Sequence, residues 1–465
     1  MQTALNRNFL LLLIGYIALR ATSFFVRDVW WAETIIAALA IGCFAYFCIK
    51  DLSLGWKLLV IELLIDGAGH FFEFESLLLR TWFLGIFAAA WLWRKIRTRT
   101  PFVLPPRAVL IALVVFGLFF LWSILTGLMR EHSPLFVLQD AMLYLFVLLL
   151  FPALEMQQVP QLLSAVATNV FIFGSTIFSV ATFALYSSSV FTLTDPYYHW
   201  FRNVASGKIT DLGLHFFRIV LPEHLLFVPI ILVLFSCLLK KISDKKLWLL
   251  LSCSLLVVML NFTRIYFVAL AVGALFLLYH TPWKQWIKTA SLTLAVSLLI
   301  FFSFHFVASR GASFGLDLIV GRAAGVRAPS SDVSGAIRMA MLPDIFRTIT
   351  ARPWLGSGLG TTVSYRDPTT QLIETRTQFD WGYFEMIAEL GIFGTLAYLF
   401  LLIVILRKGT RSAVAVDSSV VHGLLAGAIA LFIVNITTPA LFQGFGVLYF
   451  VFLITMQKCK VVANE

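Results

Sequence analysis

Charged side chains are scarce in this chain of 465 residues: only 13% are Asp, Glu, Lys or Arg, whereas 60% are hydrophobic. A soluble domain carries roughly 25% charged residues. So few charges cannot cover a folded chain with groups that water solvates, and acyl chains must therefore solvate much of its surface. The composition excludes an ordinary water-soluble domain and predicts an all-α polytopic integral membrane protein.

Cysteine is also scarce, and the long polar loops have none. Four cysteines lie in apolar runs and one lies in the C-terminal tail: Cys43, Cys48, Cys237, Cys253 and Cys459. We therefore expect neither a disulfide framework nor a cysteine-based metal site. The histidines lack a zinc-type spacing such as H-E-x-x-H. From these absences we expect no metal and no cofactor.

The net charge of +11 indicates membrane topology rather than a nucleic-acid surface. Most lysines lie in short loops between apolar runs, and no basic–aromatic groove or helix-turn-helix context accompanies them. We therefore expect membrane lipid, and no nucleic acid, as a partner.

Apolar runs long enough to cross a bilayer recur along the whole chain and predict about twelve to fourteen transmembrane helices in a single transmembrane domain, 1–465. The candidate spans are 8–24, 30–49, 53–68, 77–93, 107–128, 134–154, 160–186, 219–239, 246–262, 265–280, 287–308, 381–406, 418–436 and 439–457. The third is short and the weakest of the set.

Alternate loops are rich in Lys and Arg, such as Lys240–Lys246 and Arg407–Arg411. Basic loops stay on the cytoplasmic side of bacterial membranes. This pattern predicts that both termini are cytoplasmic. It also predicts two external loops, 187–218 and 309–380, the second being large and periplasmic.

The 309–380 loop contains eight arginines and no lysine. A guanidinium group matches phosphate oxygens with a planar fork of donors, although ordinary solvated ion pairs are an equally plain explanation. Within the loop, Ser334–Thr350 has isoleucine or methionine at four-residue spacing, which predicts an amphipathic helix carrying Arg338 and Arg347. Pro343 is expected to kink it or to begin a second helix.

Three carboxylates, Asp380, Glu385 and Glu389, lie at the start of a predicted span. Glu385 and Glu389 are four residues apart and share one helix face, and an ionisable group inside a span is a functional candidate. A buried pairing with an arginine is the simpler explanation of Glu389. Asp380 could equally act as the N-cap of the helix.

The stretch 338–394 carries a family resemblance. It reads R-M-A-M-L at 338–342, P-W-L-G-S-G-L-G at 353–360 and D-W-G-Y-F-E-M-I-A-E-L-G-I-F-G at 380–394. It resembles the periplasmic loop and following span of the O-antigen ligase and O-antigen polymerase superfamily. Arg338 and Leu342 match the family's Arg and Leu, and Gly391 and Gly394 match its G-x-x-G. Asp380 and Trp381 stand where the ligases have His and a polar residue.

The resemblance implies a fold like that of the GT-C glycosyltransferases and a polyprenyl-diphosphate-linked oligosaccharide as donor. Arg218, and Arg264 in the segment N-F-T-R at 261–264, resemble family regions more weakly. Arg218, Arg264 and Arg338 would then hold the diphosphate, unless the first two only extend to lipid headgroups. Asp380 would be the base, with Glu385 beside it. Further candidates for substrate contact are His215, His224, Arg347 and Glu389. The G-S-G-L-G stretch is expected to be a turn.

The resemblance, with Asp380 in place of the ligase His, implies a metal-independent glycosyltransferase of the bacterial inner membrane that polymerises a surface polysaccharide. Chain-length regulators or flippases are possible partners. One alternative is an O-antigen ligase that joins the glycan to lipid A-core. Another is a transporter or flippase of lipid-linked sugars, although paired broken helices, which such a protein should show, are not evident in the sequence.

Overall fold

Helices account for most of the residues that the computed structural model describes, namely 7–65, 71–74, 77–156, 160–327, 333–412 and 418–455. The helices of the first half are α1 Arg7–Val26, α2 Trp30–Lys50, α3 Leu52–Ile65, α4 Leu79–Thr98, α5 Arg107–Met129, α6 Pro134–Leu145, α7 Leu150–Glu155, α8 Pro160–Ser187 and α9 Pro196–Asn203. Those of the second half are α10 Phe227–Lys240, α11 Lys245–Asn261, α12 Arg264–Leu278, α13 Trp283–Ala308, α14 Leu316–Arg327, α15 Val333–Ala351, α16 Gly382–Ser412, α17 Ser418–Val434 and α18 Gly444–Thr455. Two 3-10 helices, Phe146–Leu149 and Pro222–Leu226, join α6 to α7 and lead into α10.

The strands described form three short antiparallel hairpins. They are β1 Glu73–Phe74 with β2 Leu77–Leu78, β3 Lys208–Asp211 with β4 Phe217–Val220, and β5 Val363–Arg366 with β6 Ile373–Arg376. The second hairpin lies in the predicted 187–218 loop and its continuation, and the third lies in the predicted 309–380 loop. Hairpin β5–β6 lies wholly within a segment that the sequence assigned to the outer side, whereas β4 extends two residues into the predicted span 219–239.

Eight helical segments of the described residues are long and apolar enough to cross a membrane. They are Phe9–Val26, Trp30–Lys50, Arg107–Met129, Pro134–Glu155, Ala167–Ser187, Pro222–Lys240, Trp283–Ala308 and Gly382–Gly409. Each of the other six predicted spans coincides with a helix that is shorter or less apolar. The weakest, α3, has 14 residues, which is about 21 Å and short of a bilayer core. The all-α polytopic fold is confirmed, whereas the count of twelve to fourteen transmembrane helices stays a prediction.

One compact unit comprises Met1–Phe102, Glu155–Thr263 and Phe276–Gly315. In it α11 packs against α8, α10 and α13, α1 packs on α8, and α2, α3 and α4 pack together. Hairpin β3–β4 contacts α8 and α11 through β4. The charge in the first span is compensated, because the Arg20 guanidinium pairs with the buried Glu223 carboxylate and lies over aromatic rings such as Tyr16.

The other compact unit comprises Val103–Leu154, Arg264–Leu275 and Leu316–Glu465. Its central element is α16, which packs against α5, α15, α17 and α18. Proline begins α6 at its first position, where the missing N–H costs nothing. Helix α16 is interrupted at Gly391, whose φ of 73° and ψ of 176° are not helical. We refer to Gly382–Leu390 and Ile392–Ser412 as its first and second halves.

Candidate active site

Arg338 lies on helix α15, whose apolar side packs against other parts of the protein. The predicted apolar stripe is present, and two of its members, Met341 and Ile345, are fully buried. They form a core with Val363, Tyr365 and Phe379 from the hairpin region and with part of α16. The helix continues through Pro343. Because this stripe packs on the hairpin and on α16, the position of α15 and of its side chains is set by the protein core.

Arg338 and Asp380 lie side by side. The Arg338 Nε and Asp380 Oδ2 atoms are 3.8 Å apart, and the two side chains are 28% and 45% exposed. This distance exceeds that of a hydrogen bond, and the buried Nε has no hydrogen-bond partner. The Trp381 indole N–H donates to the Arg338 carbonyl at 3.2 Å and ties the two segments together. The guanidinium and the carboxylate are therefore adjacent, without being bonded to each other.

Asp380 lies just outside α16. The helix begins at Gly382, so Asp380 is one residue before the usual N-cap position, and its own φ of 57° is in the left-handed region. Asp tolerates this region better than most residues. At the start of the helix, the Glu385 carboxylate reaches back and accepts the Phe379 N–H at 2.9 Å, as the acidic member of a capping box does. Glu385 is thus engaged with the backbone next to Asp380.

Glu389 lies one turn further into the first half of α16 and is 1% exposed. Its carboxyl group lies beside that of Asp140 on α6, and Asp140 accepts the Gly360 N–H at 2.9 Å. Sequence reasoning missed Asp140. The available signal was an acidic residue inside the predicted span 134–154, which is expensive in a membrane unless it has a role.

The break at Gly391 is stabilised by the loop that follows α15. The N–H groups of Ile392 and Phe393, which open the second half of α16, donate to the Pro353 carbonyl at 2.8 Å and the Trp354 carbonyl at 3.2 Å. A Cβ at position 391 would lie 2.3 Å from the Trp354 oxygen. Glycine is therefore required both by the backbone conformation and by the close approach of the loop.

The same loop also supplies donors to the end of the first half of α16. The Ser357 N–H donates to the Ala388 carbonyl at 2.7 Å, and the Gly358 N–H donates to the Glu389 carbonyl at 3.1 Å. A broken helix leaves such backbone groups unpaired, and in a membrane protein they must be satisfied by protein. The predicted G-S-G-L-G turn is thus the partner of the helix break, and not a phosphate-binding loop.

Hairpin β5–β6 uses its charges internally. The Tyr365 hydroxyl donates to Glu374 Oε2 at 2.8 Å, and Arg376 Nη2 donates to the same oxygen at 2.6 Å. These two hydrogen bonds, of which the one from Tyr365 has the larger effect, hold the pKa of the Glu374 carboxyl below its ordinary value.

Arg347, on α15, pairs with Asp344 and is 80% exposed. Nine helical residues separate it from Arg338, about half a turn around the axis, so these two arginines do not converge.

Arg218 and the N-F-T-R segment meet in the first unit. Arg218 Nε donates to the Asn261 carbonyl at 2.7 Å, and Nη2 donates to Thr263 Oγ1 at 2.8 Å. His224 is fully buried and contacts the Asn261 side chain at 3.1 Å. His215 is exposed and has a φ of 58°, and its carbonyl accepts the Ser187 hydroxyl. Both histidines were candidates for substrate contact, and His224 shares the hydrogen-bond network of Arg218 through Asn261.

Arg264 is the first residue of α12 and is half-buried. It follows Thr263 directly in the chain but belongs to the second unit. The use of Arg218, Arg264 and Arg338 as one clamp stays a prediction. In the described part of the chain, no group of three or more His, Cys, Asp or Glu side chains is arranged to hold a metal ion.

These helices define the chain as a polytopic membrane protein with an Arg–Asp pair at the head of a broken helix. A family model described as O-antigen ligase matches residues 249–399. The match confirms the resemblance to the O-antigen ligase and polymerase superfamily and supports a membrane enzyme of that type. Family members are glycosyltransferase-like enzymes that act on lipid-linked glycans at the bacterial inner membrane. Arg264, Arg338 and Asp380 fall inside the matched range, and Arg218 lies outside it. No curated protein matches this sequence.

Proposed function

We propose that this protein transfers a glycan from a polyprenyl-diphosphate donor to a sugar hydroxyl on the periplasmic side of the membrane, and that it acts as a polymerase of a surface polysaccharide. The observation that carries the proposal is the Arg338–Asp380 pair. It places a cation with a buried, unbonded donor atom beside a carboxylate, within the range that matches the O-antigen ligase family.

Arg338 binds the diphosphate in this proposal. A polyprenyl-diphosphate donor keeps its lipid chain in the bilayer and its diphosphate at the headgroup level. Cleavage of the bond between the anomeric carbon and the diphosphate oxygen leaves the bonding electrons on that oxygen. A guanidinium placed there stabilises the developing charge. Arg218 and Arg264 are proposed as further diphosphate ligands, so the positive charge comes from arginine and the reaction needs no metal.

Asp380 acts on the acceptor in this proposal. The acceptor hydroxyl oxygen forms a new bond to the anomeric carbon, and its proton passes to the Asp380 carboxylate. The carboxylate is 45% exposed and lies next to Arg338, so both substrates can reach the pair. Glu385 holds the backbone beside Asp380 through the Phe379 N–H, which is a positioning role.

O-antigen ligase is the second candidate, because the description of the matching family model favours it. Asp380 and Trp381 favour polymerase, because the ligase pattern has His and a polar residue at these places. The two functions differ only in the acceptor: another lipid-linked repeat unit for a polymerase, or lipid A-core for a ligase. Supplying each acceptor separately to the purified protein distinguishes them by the mass of the product.

The test of the site is an Arg338 series assayed with lipid-linked oligosaccharide in detergent or vesicles. We expect Arg338→Ala to lower the rate at least about 100-fold, the typical loss when a donor to the transition-state charge is removed. Arg338→Lys should also be poor, because an ammonium group cannot replace the planar fork. Arg366→Ala is the matched control, since Arg366 is an exposed arginine of the same loop whose Nε donates to Gln371. A normal rate in Arg338→Ala would remove this residue from the site.

A further inference from the structure

We propose that His224 is a positioning residue for Arg218: a buried chain of hydrogen bonds through Asn261 and Thr263 fixes the arginine in the orientation in which it binds the donor. The inference rests on the proposed role of Arg218 as a diphosphate ligand. All the residues concerned belong to the first compact unit.

The arginine end of the chain is held at two atoms. Arg218 lies on β4, opposite Thr210 of β3. Its Nε donates to the Asn261 carbonyl at 2.7 Å and its Nη2 donates to Thr263 Oγ1 at 2.8 Å. Two bonds from different nitrogen atoms of a planar group fix both its position and its plane. An arginine held in this way needs less ordering when an anion binds than a free surface arginine does.

The turn after α11 brings these two acceptors together. Asn261 ends α11, and Phe262 adopts a left-handed conformation with a φ of 47°. This conformation reverses the chain direction at the helix end. As a result the Asn261 carbonyl and the Thr263 hydroxyl face the same guanidinium group. The motif N-F-T-R is therefore a local device that holds Arg218.

His224 determines the orientation of the Asn261 side chain. The Thr263 hydroxyl donates to Asn261 Oδ1, so the Asn261 amide nitrogen is the atom that faces His224 Nδ1 at 3.1 Å. An amide N–H can only donate, so Nδ1 is the acceptor and the ring proton is on Nε2. Nε2 faces the Ser179 hydroxyl at 3.3 Å. Ser179, His224 and Asn261 are all fully buried.

A purely apolar residue at position 224 would remove the hydrogen bond between residue 224 and the Asn261 side chain. Without an acceptor, the buried Asn261 amide would lose a partner and would rotate or draw in water to regain one. Rotation would place an amide nitrogen, instead of Oδ1, opposite Thr263, whose hydroxyl then could not keep both of its present bonds. The Thr263 hydroxyl would turn to donate elsewhere, its bond from Arg218 Nη2 would lose its present alignment, and the donor would bind more weakly.

The test measures KM for the lipid-linked donor and kcat in His224→Leu and His224→Gln. Leu cannot accept a hydrogen bond, whereas the Gln carbonyl can replace Nδ1 as the acceptor. We expect His224→Leu to raise the donor KM about 10-fold, in line with the loss of one hydrogen bond to a charged group, with a smaller change in kcat. His224→Gln should restore KM to near the wild-type value. Thr263→Val, which removes the last hydroxyl of the chain without changing its shape, should raise KM as His224→Leu does.

The double variant Arg218→Ala/His224→Leu separates positioning from general stability. If His224 acts through Arg218, the His224→Leu change should add nothing to the KM of Arg218→Ala. Equal and additive effects in both backgrounds, or a His224→Gln variant as poor as His224→Leu, would overturn the inference. Should His224→Leu fail to fold, His224→Phe, which keeps a planar ring but offers no acceptor to Asn261, takes its place in the same comparison. A normal KM in Arg218→Ala would instead contradict the proposed role of Arg218 itself.

Discussion

Substitution of Asp380 separates a role in the chemistry from a purely structural role at the start of α16. Asp380→Asn and Asp380→Ser keep a short polar side chain next to α16, and Asn also tolerates the left-handed φ of 57° at this position, but neither can accept a proton as a carboxylate does. We expect both variants to lose about 10²–10⁴-fold in rate, the usual contribution of a positioned general base. The measurement is the transfer rate with lipid-linked oligosaccharide.

Asp317→Asn is a suitable control for this pair of variants, because Asp317 is an exposed aspartate of the same predicted loop. It should transfer at the wild-type rate. Full activity in Asp380→Asn would show that Asp380 has only a structural role. The base would then have to be sought elsewhere, and Glu385 is unsuited to it because its side chain is 1% exposed, so an acceptor hydroxyl cannot reach it.

Sequence reasoning found the residues of this site better than it found their partners. Arg338 was chosen because it matches the Arg of the family pattern and Asp380 because it stands where the ligases have His, and the structure places their Nε and Oδ2 atoms 3.8 Å apart. Arg347 was chosen with them, but helical geometry directs it to the other side of α15. Asp140 was missed, because a single acidic residue in an apolar run does not reveal that its partner, Glu389, lies on another helix.

Among the secondary-structure elements, the 353–360 loop and the break in α16 are joined by backbone hydrogen bonds, and these bonds support the positions of both Arg338 and Asp380. The loop directly follows α15, which carries Arg338, and it holds the end of the half-helix that begins next to Asp380. The position of Arg338 relative to Asp380 therefore depends on backbone hydrogen bonds at the C-terminal end of the first half of α16, whereas Asp380 lies at its N-terminal end.

Gly391→Ala should disrupt these backbone hydrogen bonds between the 353–360 loop and α16. Alanine at a φ of 73° is strained by roughly 1–3 kcal/mol, and its Cβ would also clash with the Trp354 oxygen at 2.3 Å. We expect a lower unfolding temperature together with reduced transfer activity. Gly117→Ala in α5 is the control, because its Cβ would meet nothing within 4 Å and alanine favours a helix. Unchanged stability and activity in Gly391→Ala would contradict the role of the break.

The long apolar helices were predictable from the sequence, whereas the break in α16 and the loop helices α9 and α14 were not. A run of about 20 apolar residues predicts a helix because only internal hydrogen bonding satisfies the backbone in lipid. A glycine within such a run is compatible with a continuous helix. Gly391 is non-helical because distant backbone groups at Pro353 and Trp354 pair with the second half of α16, and a local pattern carries no record of that tertiary contact.

For the molecule as a whole, the proposed reaction requires that the site face the periplasm, where the glycan of the donor is displayed. The alternation of basic loops predicts this orientation. Reporter fusions within 187–218 or 309–380 should therefore report an external location, and a fusion after Lys408 should report a cytoplasmic one. An internal location of residue 338 would place Arg338 and Asp380 on the wrong side of the membrane for the proposed donor.

In the proposed function, this chain alone cleaves a polyprenyl diphosphate from a lipid-linked glycan and transfers the glycan to a sugar hydroxyl. The most direct measurement uses the purified protein in vesicles that contain lipid-linked oligosaccharide, alone or together with lipid A-core, with free polyprenyl diphosphate and glycan mass followed together. We expect one released polyprenyl diphosphate for each bond formed, together with a ladder of longer lipid-linked glycans that is absent with Arg338→Ala. Unchanged donor in the presence of folded wild-type protein, with either another lipid-linked unit or lipid A-core as acceptor, would contradict it.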